Sequence, residues 1–426
     1  MKLTPHLFFH KVNRPRMLKR LWETKGRYRN PSLNIPESIQ KLGVTVYDPL
    51  EEFSTKKEEW KPPVNDPRFE EETSLTDHPL YNEHPALSYN FKSKFVQEMD
   101  QVCALTKTLQ LDGLPENVSR LINKVDVPNK EKLLQHYIHH SQEWITTRTK
   151  APRRMDPDFP KKTCRREYEV PVAKSIEILL TDMIRLCRST ATQFPSSLTS
   201  HRLISRPHIS TNFTYKGDTI LIRGKPLYML GSDQDLSPFV DQEAVDQSAQ
   251  INTPDIYPVQ PTIDFYKEHI YDDIISTGFK TPYTYSKPHT LFIANSEMAD
   301  WWTETDRQCR ALMFCFAFAM TRAKEKYGEA VTNLPEPISI QCVNLNQTTL
   351  NFMCFQLNTL NLDSDNGIKN LVWLDTGNQM FNVLLPRPSM KDQPELLKRR
   401  FVDFDPYVFD KLFAMILNGL PETENL

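Results

Sequence analysis

Residues Glu304–Tyr327 hold neither proline nor glycine, and their middle reads ALMFCFAFAM, with Leu312, Met313, Phe314, Phe316, Phe318 and Met320 close together. Wound at 3.6 residues per turn, these side chains make the helix apolar nearly all round, and such a helix is buried. It reads as the central buried helix behind a sheet. Cys309 and Cys315 on it are small core residues, and its Met and Phe content is core rather than a cofactor box.

The sheet is suggested by short runs at Thr219–Ile222, Thr290–Ile293, Ile338–Val343, Leu350–Leu357 and Asn370–Leu374. Phe352 and Cys354 alternate with Met353 and Phe355 in a run apolar on both sides, as a buried strand requires. Asp363–Ser364–Asp365–Asn366–Gly367 joins it to the next strand, and Asn-Gly is a hairpin signal. DSDNG is also the nearest thing to a calcium loop. With Gly367 at the turn glycine, however, the first ligand position is Leu362, which cannot ligate.

Residues 91–205 look helical. Lys94–Leu111 places Phe95, Met99, Val102, Leu105 and Leu109 on one face, with Gly113 and Pro115 as stop signals. Asn129–Ile145 follows Pro128, and Lys174–Phe194 turns Ile176, Leu179, Leu180, Met183, Leu186 and Cys187 inward. A last helix, Pro406–Leu417, closes the chain, and residues 232–256 read as an exposed polar loop. Residues 31–90 carry eight prolines and no lasting periodicity, yet Trp60, Phe69, Tyr81 and Tyr89 are too many aromatics for a free linker. The expected class is α+β. An extended arm (31–90) and a helical region (91–205) precede a mixed domain (206–426) with a mainly antiparallel sheet and a buried helix.

Net charge is only −2, so affinity for nucleic acid must come from local basic segments. Residues 1–30 hold nine Lys or Arg against Glu23 alone. An arginine-rich, acid-poor start of this kind suits a mitochondrial presequence, or a basic arm that stays on and touches RNA phosphates. The second segment is a proline-bearing loop, 148–166, with Arg148, Lys150, Arg153, Arg154, Lys161, Lys162, Arg165 and Arg166 against Asp156 and Asp158. Such density suits phosphate contact, which carries no sequence information; a solvated charged loop is the alternative.

Signs of catalysis are few. The 11 glycines against 32 prolines leave little of the permissive backbone that cradles phosphates, and no GxGxxG, GxxxxGK[ST], HExxH or GxSxG occurs. His136 and His140 share a helix face at metal-ligand spacing, but no carboxylate or cysteine completes a site nearby. His289 could be catalytic with Asp264, without a nucleophile at recognisable spacing. Seven cysteines with no CxxC read as reduced, mostly buried thiols. No apolar run is long enough for a membrane span. No cofactor, metal or small-molecule substrate is expected.

Several stretches are more specific. LTKTLQLDGLPENV at 105–118, IYPVQPTIDFYKEHIYDDIISTGFKTPYTYSKPHTLFIAN at 256–295 and FMCFQLNTLNLDSDNGIKNLVWLD at 352–375, with DPRF at 66–69 and HPLY at 78–81, occur in this order. Together they resemble the family of mitochondrial large-ribosomal-subunit protein thirty-seven over roughly residues 60–420. The FQLNT-type strand is shared with a paralogous family once assigned to the small subunit. The resemblance implies a non-enzymatic structural constituent of the mitochondrial large ribosomal subunit, in the matrix. It also implies contacts with large-subunit ribosomal RNA and neighbouring proteins, that paralogue included. A non-ribosomal RNA-binding or assembly factor is the alternative.

Overall fold

The computed structural model describes residues 35–47, 75–90, 92–143, 149–151, 153–156, 158, 167–272, 275–280, 282–294, 302–386 and 399–425. The basic start at 1–30 lies outside them. The chain divides into two units, 1–73 and 74–426. In the first, Glu37–Gln40 form a single helical turn. The second is α+β: strands β1 (Tyr81–Tyr89), β2 (Thr108–Asp112), β3 (Thr149–Lys150), β4 (Tyr168–Glu169), β5 (His201–Ser205), β6 (Ile209–Tyr215), β7 (Asp218–Gly224), β8 (Tyr228–Ser232), β9 (Tyr266–Ile270), β10 (Lys287–Ala294), β11 (Asn333–Asn346), β12 (Thr349–Thr359), β13 (Asn370–Asp375), β14 (Asn382–Leu384) and β15 (Arg400–Val402). Its longer helices are α1 (Glu98–Thr106), α2 (Lys130–Glu143), α3 (Val172–Ser189), α4 (Glu304–Tyr327) and α5 (Tyr407–Leu417).

Helix α4 decides the architecture. Leu312 to Met320 are all buried, and the two sheets that bury them lie on either side. The small sheet has order β6-β7-β1-β9 and the large one β2-β13-β12-β11-β10-β8-β5. In the large sheet β2–β13 and β10–β11 are parallel and the other pairs antiparallel. Thr303 caps α4: its Oγ1 accepts from Asp306 N (3.0 Å), and the Asp306 carboxylate accepts from Thr303 N (2.8 Å). An inner core between the sheets takes Met353, Phe355, Ile340 and Cys342. An outer core beneath α2, α3 and α5 takes Phe352, Cys354, Val343 and Trp373. The large sheet is therefore buried on both faces, and the alternation along β12 sorts its side chains between the two cores.

Several elements depart from the sequence reading. The run Lys94–Leu111 is not one helix: α1 ends at Thr106, Lys107 adopts a left-handed backbone (φ 50°, ψ 52°), and β2 pairs with β13. Met99, Val102 and Leu105 face the inner core and Leu109 the outer one, so the shared spacing joined two elements that serve opposite faces. The arm does contain a strand. β1 runs between β7 and β9, and its Pro85 falls where the pairing with β9 shifts register between Tyr81 and Ala86. A bulge asks no amide of that position. The polar stretch 232–256 is docked rather than exposed throughout: Leu236, Phe239 and Val245 are buried, and Gln356 Oε1 accepts from Phe239 N (2.8 Å) and Val240 N (3.2 Å). The Asp363–Gly367 segment lies in a longer connection between the antiparallel β12 and β13, with Gly367 at φ 85°.

Candidate nucleic-acid interface

Of the eight basic residues in 148–166, Lys150, Arg153 and Arg154 are described; Arg148, Lys161, Lys162, Arg165 and Arg166 lie outside the described residues. The base of this segment is a small hairpin. β3 and β4 pair Thr149 with Glu169 and Lys150 with Tyr168, and Ala151 N donates to Glu167 O (3.0 Å). Arg154 forks onto Glu167, with Nε and Nη2 each at 2.9 Å from a carboxylate oxygen, and its Nη1 donates to Pro386 O (2.6 Å). Arg154 thus pins the hairpin to the chain after β14, a positioning use of the guanidinium fork. Arg399 pairs with Glu169, bringing the start of β15 to the same place.

The electrostatic outcome follows from that pairing. The two glutamates of the hairpin base are each matched by an arginine, while Lys150, Arg153 and Arg400 are exposed. Arg399 and Arg400 were missed by sequence reading, although the run Lys398–Arg399–Arg400 was available. Contact between segments this far apart in sequence has no local signature.

The other candidates take structural places. His136 and His140 stack with ring centroids 6.5 Å apart, and His140 Nδ1 lies 2.6 Å from Asp182 Oδ2. Among the described residues no group of three or more His, Cys, Asp or Glu side chains could hold a metal. His289 is buried, with Nε2 2.8 Å from Asn418 O and Nδ1 2.8 Å from Thr290 Oγ1. The Asn418 carbonyl can only accept, so Nε2 carries the proton. Nδ1 then accepts from Thr290, whose oxygen accepts from Gln341 Nε2 (3.0 Å). Gln341 Nε2 also donates to Met415 O (2.8 Å), and its Oε1 accepts from Asn418 Nδ2 (3.0 Å). This network ties the end of α5 to the large sheet and gives neither ring nitrogen to Asp264. Phe265, beside Asp264, sits in the inner core on the far side of that sheet.

Burial holds His289 down to about 4. Burial first, then the neighbouring His289 and Arg188, holds His201 down to about 3. The rings lie 4.5 Å apart, and His201 Nδ1 has no hydrogen-bond partner. Cys103, Cys187, Cys309, Cys315, Cys342 and Cys354 are buried and unbridged, and Cys164 lies outside the described residues. Among the described residues no helix is long and apolar enough to cross a membrane.

Among the described residues, a two-sheet α+β body carries a basic hairpin pinned by Arg154 and a buried His201–His289 pair tied into the fold. The large ribosomal subunit protein mL37 of Rattus norvegicus is 31% identical over 366 residues, 84% of this chain and 81% of that protein. The proteins of the same name from Mus musculus and Gallus gallus are 29% and 28% identical, over 85% of this chain and 82% and 79% of theirs. No family model matches. The chain belongs to the mL37 family of mitochondrial large-ribosomal-subunit proteins, and its location is the mitochondrial ribosome.

Proposed function

We propose that the chain is a structural, non-enzymatic constituent of the mitochondrial large ribosomal subunit. In this reading it binds large-subunit ribosomal RNA through the basic hairpin and docks neighbouring ribosomal proteins, the paralogue once assigned to the small subunit among them. Likeness to the mL37 proteins over most of both chains carries the reading. The hairpin supports it, because exposed Lys150, Arg153 and Arg400 stand beside glutamates already matched by Arg154 and Arg399. Arg148, Lys161, Lys162, Arg165 and Arg166 extend the same run in sequence. Phosphate contacts of this kind position a protein without reading bases. Exposed Met155, Leu384 and Leu385 flank the hairpin and offer apolar area to a protein neighbour.

Sucrose-gradient sedimentation of a mitochondrial extract tests the reading. The chain should travel with the large subunit at stoichiometric yield and stay on through moderate salt. Recovery in light fractions alone would favour a non-ribosomal RNA-binding or assembly factor. Replacing the eight basic residues of 148–166 by neutral ones should weaken incorporation without unfolding the chain, and unchanged incorporation would make the loop merely solvated.

A further inference from the structure

A second cationic surface lies where residues 275–280 and 282–286, between β9 and β10, pass the ends of β5 and β7. Residues 202–208, 223–228, 275–280 and 282–287 together contain Arg202, Arg206, Arg223, Lys225, Lys280 and Lys287, with Asp272 as a neighbouring acid. Contacts join these segments. The Arg202 guanidinium lies 4.6 Å over the Tyr285 ring. Tyr283 meets Tyr285 edge-on at 6.0 Å and stacks on Phe279 at 5.3 Å with an interplanar angle of 22°. A Cβ built on Gly278 would lie 3.8 Å from His208 Cβ. His208 is held below its ordinary pKa by burial and then by Lys225 and Arg223. Arg223 is matched by Glu268 of β9, whereas Arg202, Arg206, Lys225 and Lys280 are exposed.

We infer that this surface is a binding site for single-stranded RNA, in which Tyr283 stacks on a base and Arg206, Lys225 and Lys280 meet the flanking phosphates. Tyr283 is 39% exposed and Phe279 backs its ring, so the ring is a fixed platform rather than a swinging side chain. Aromatic faces set among cations are what unpaired strands use. Every base has a face to stack, and duplex RNA offers none along its length. A protein partner would need apolar area or acidic groups to match, and the excess of exposed cations over the neighbouring Glu268 and Asp272 favours a polyanion. The site differs from the basic hairpin, whose described residues carry charge without an exposed stacked ring. This inference rests on the reading that the chain meets RNA.

The test uses the full chain, a labelled oligouridylate of about twelve nucleotides, within the range one such surface covers, and an RNA duplex of equal length, read by fluorescence anisotropy. Tyr283→Ala should weaken oligouridylate binding by roughly tenfold, in line with the loss of one stacked base, and leave duplex binding unchanged. Tyr283→Phe should bind like the parent. Arg206→Glu with Lys225→Glu should weaken both probes and steepen neither salt dependence. Parent-like binding by Tyr283→Ala, with its thermal unfolding unchanged, would overturn the inference. So would loss of all oligouridylate binding in Lys150→Glu with Arg153→Glu, an outcome that leaves the ribosomal reading intact because the hairpin would then carry all the RNA contact. Failure of the parent chain both to bind RNA and to sediment with large subunits would sink that broader reading together with this one. In purified large subunits, ultraviolet crosslinking of Tyr283 to RNA is expected, and burial of Tyr283 against a protein neighbour would overturn the site.

Discussion

Lys107 and Lys369 point their ammonium groups into one loop. Lys107 Nζ donates to the carbonyls of Asn361 (3.1 Å) and Asn366 (2.6 Å), and Lys369 Nζ to those of Gly367 (3.0 Å) and Asp365. The segment whose sequence hints at a calcium loop thus has its carbonyl oxygens turned onto lysine. Lys369 is 1% exposed and Lys107 3%, and Asp365 Oδ1 lies 3.5 Å from Lys369 Nζ. Removing either ammonium leaves half-buried carbonyls of the loop without that donor.

Lys369→Met should therefore cost about 1–3 kcal/mol in urea unfolding, the range for leaving hydrogen-bonding groups without their partner. Calcium or a chelator should leave the parent's unfolding midpoint unchanged. A calcium-dependent rise in that midpoint would show the loop to be a metal site after all.

Protonation of the His201–His289 pair should destabilise the fold in mild acid. Both pKa values are depressed in the folded chain, to about 3 and about 4, from an ordinary 6.5. The unfolded chain then binds more protons below 6.5, so stability is full above that pH and falls as pH drops from 6.5 towards 4. Each unit of depression corresponds to ~1.4 kcal/mol. His201→Phe removes one titrating ring and an unpartnered Nδ1, so it should unfold at a more nearly equal urea midpoint at pH 7 and pH 5. A pH dependence as steep as the parent's would contradict this.

The described cysteines should be silent in the native state. Burial pushes the Cys103 thiol up to about 12 and raises Cys187, Cys309, Cys315 and Cys354 as well. A Cys164→Ser chain mixed with a thiol reagent near pH 8 should react only after denaturation, and then at every remaining cysteine. Fast native labelling would show the inner core open.

Phe316→Ala should cost about 3–5 kcal/mol, because the ring is fully buried in the middle of α4 and meets Phe213 of the small sheet and Phe355 of the large one edge-on at 5.4 and 6.3 Å. Arg153→Glu, on an exposed side chain, should leave the midpoint within about 0.5 kcal/mol of the parent. Calorimetry on the two variants separates packing from surface charge.

Local periodicity carried the parts of the fold in which one element owns its pattern. Helix α4 and the two-sided strand Phe352–Phe355 were legible because burial on all sides leaves no polar face. β1 was hidden because Asn82, Glu83, His84 and Pro85 break any alternation, and the bulge that admits Pro85 is set by β9, far along the chain. β2 was hidden because Leu105 and Leu109 keep helical spacing across the left-handed Lys107. The basic hairpin was visible as a count of charges, but which of its cations are already used, Arg154 above all, depends on Glu167 and on Pro386. The surface around Tyr283 was invisible, since it is assembled from segments that mean nothing singly.

Thr108 of β2 pairs with Asn370 of β13, and Leu87 of β1 with Ile220 of β7. Each sheet therefore closes only when early chain meets much later chain, a topology that folds slowly. A polypeptide delivered end-first would hold β2 without its strand neighbour until β13 arrived, and the apolar stretch of α4 only partly covered until β11 and β12 followed it. Such a chain exposes apolar surface during delivery, and truncation before β13, which leaves β2 and one edge of β12 unpaired, should yield an insoluble product rather than a shortened but folded one.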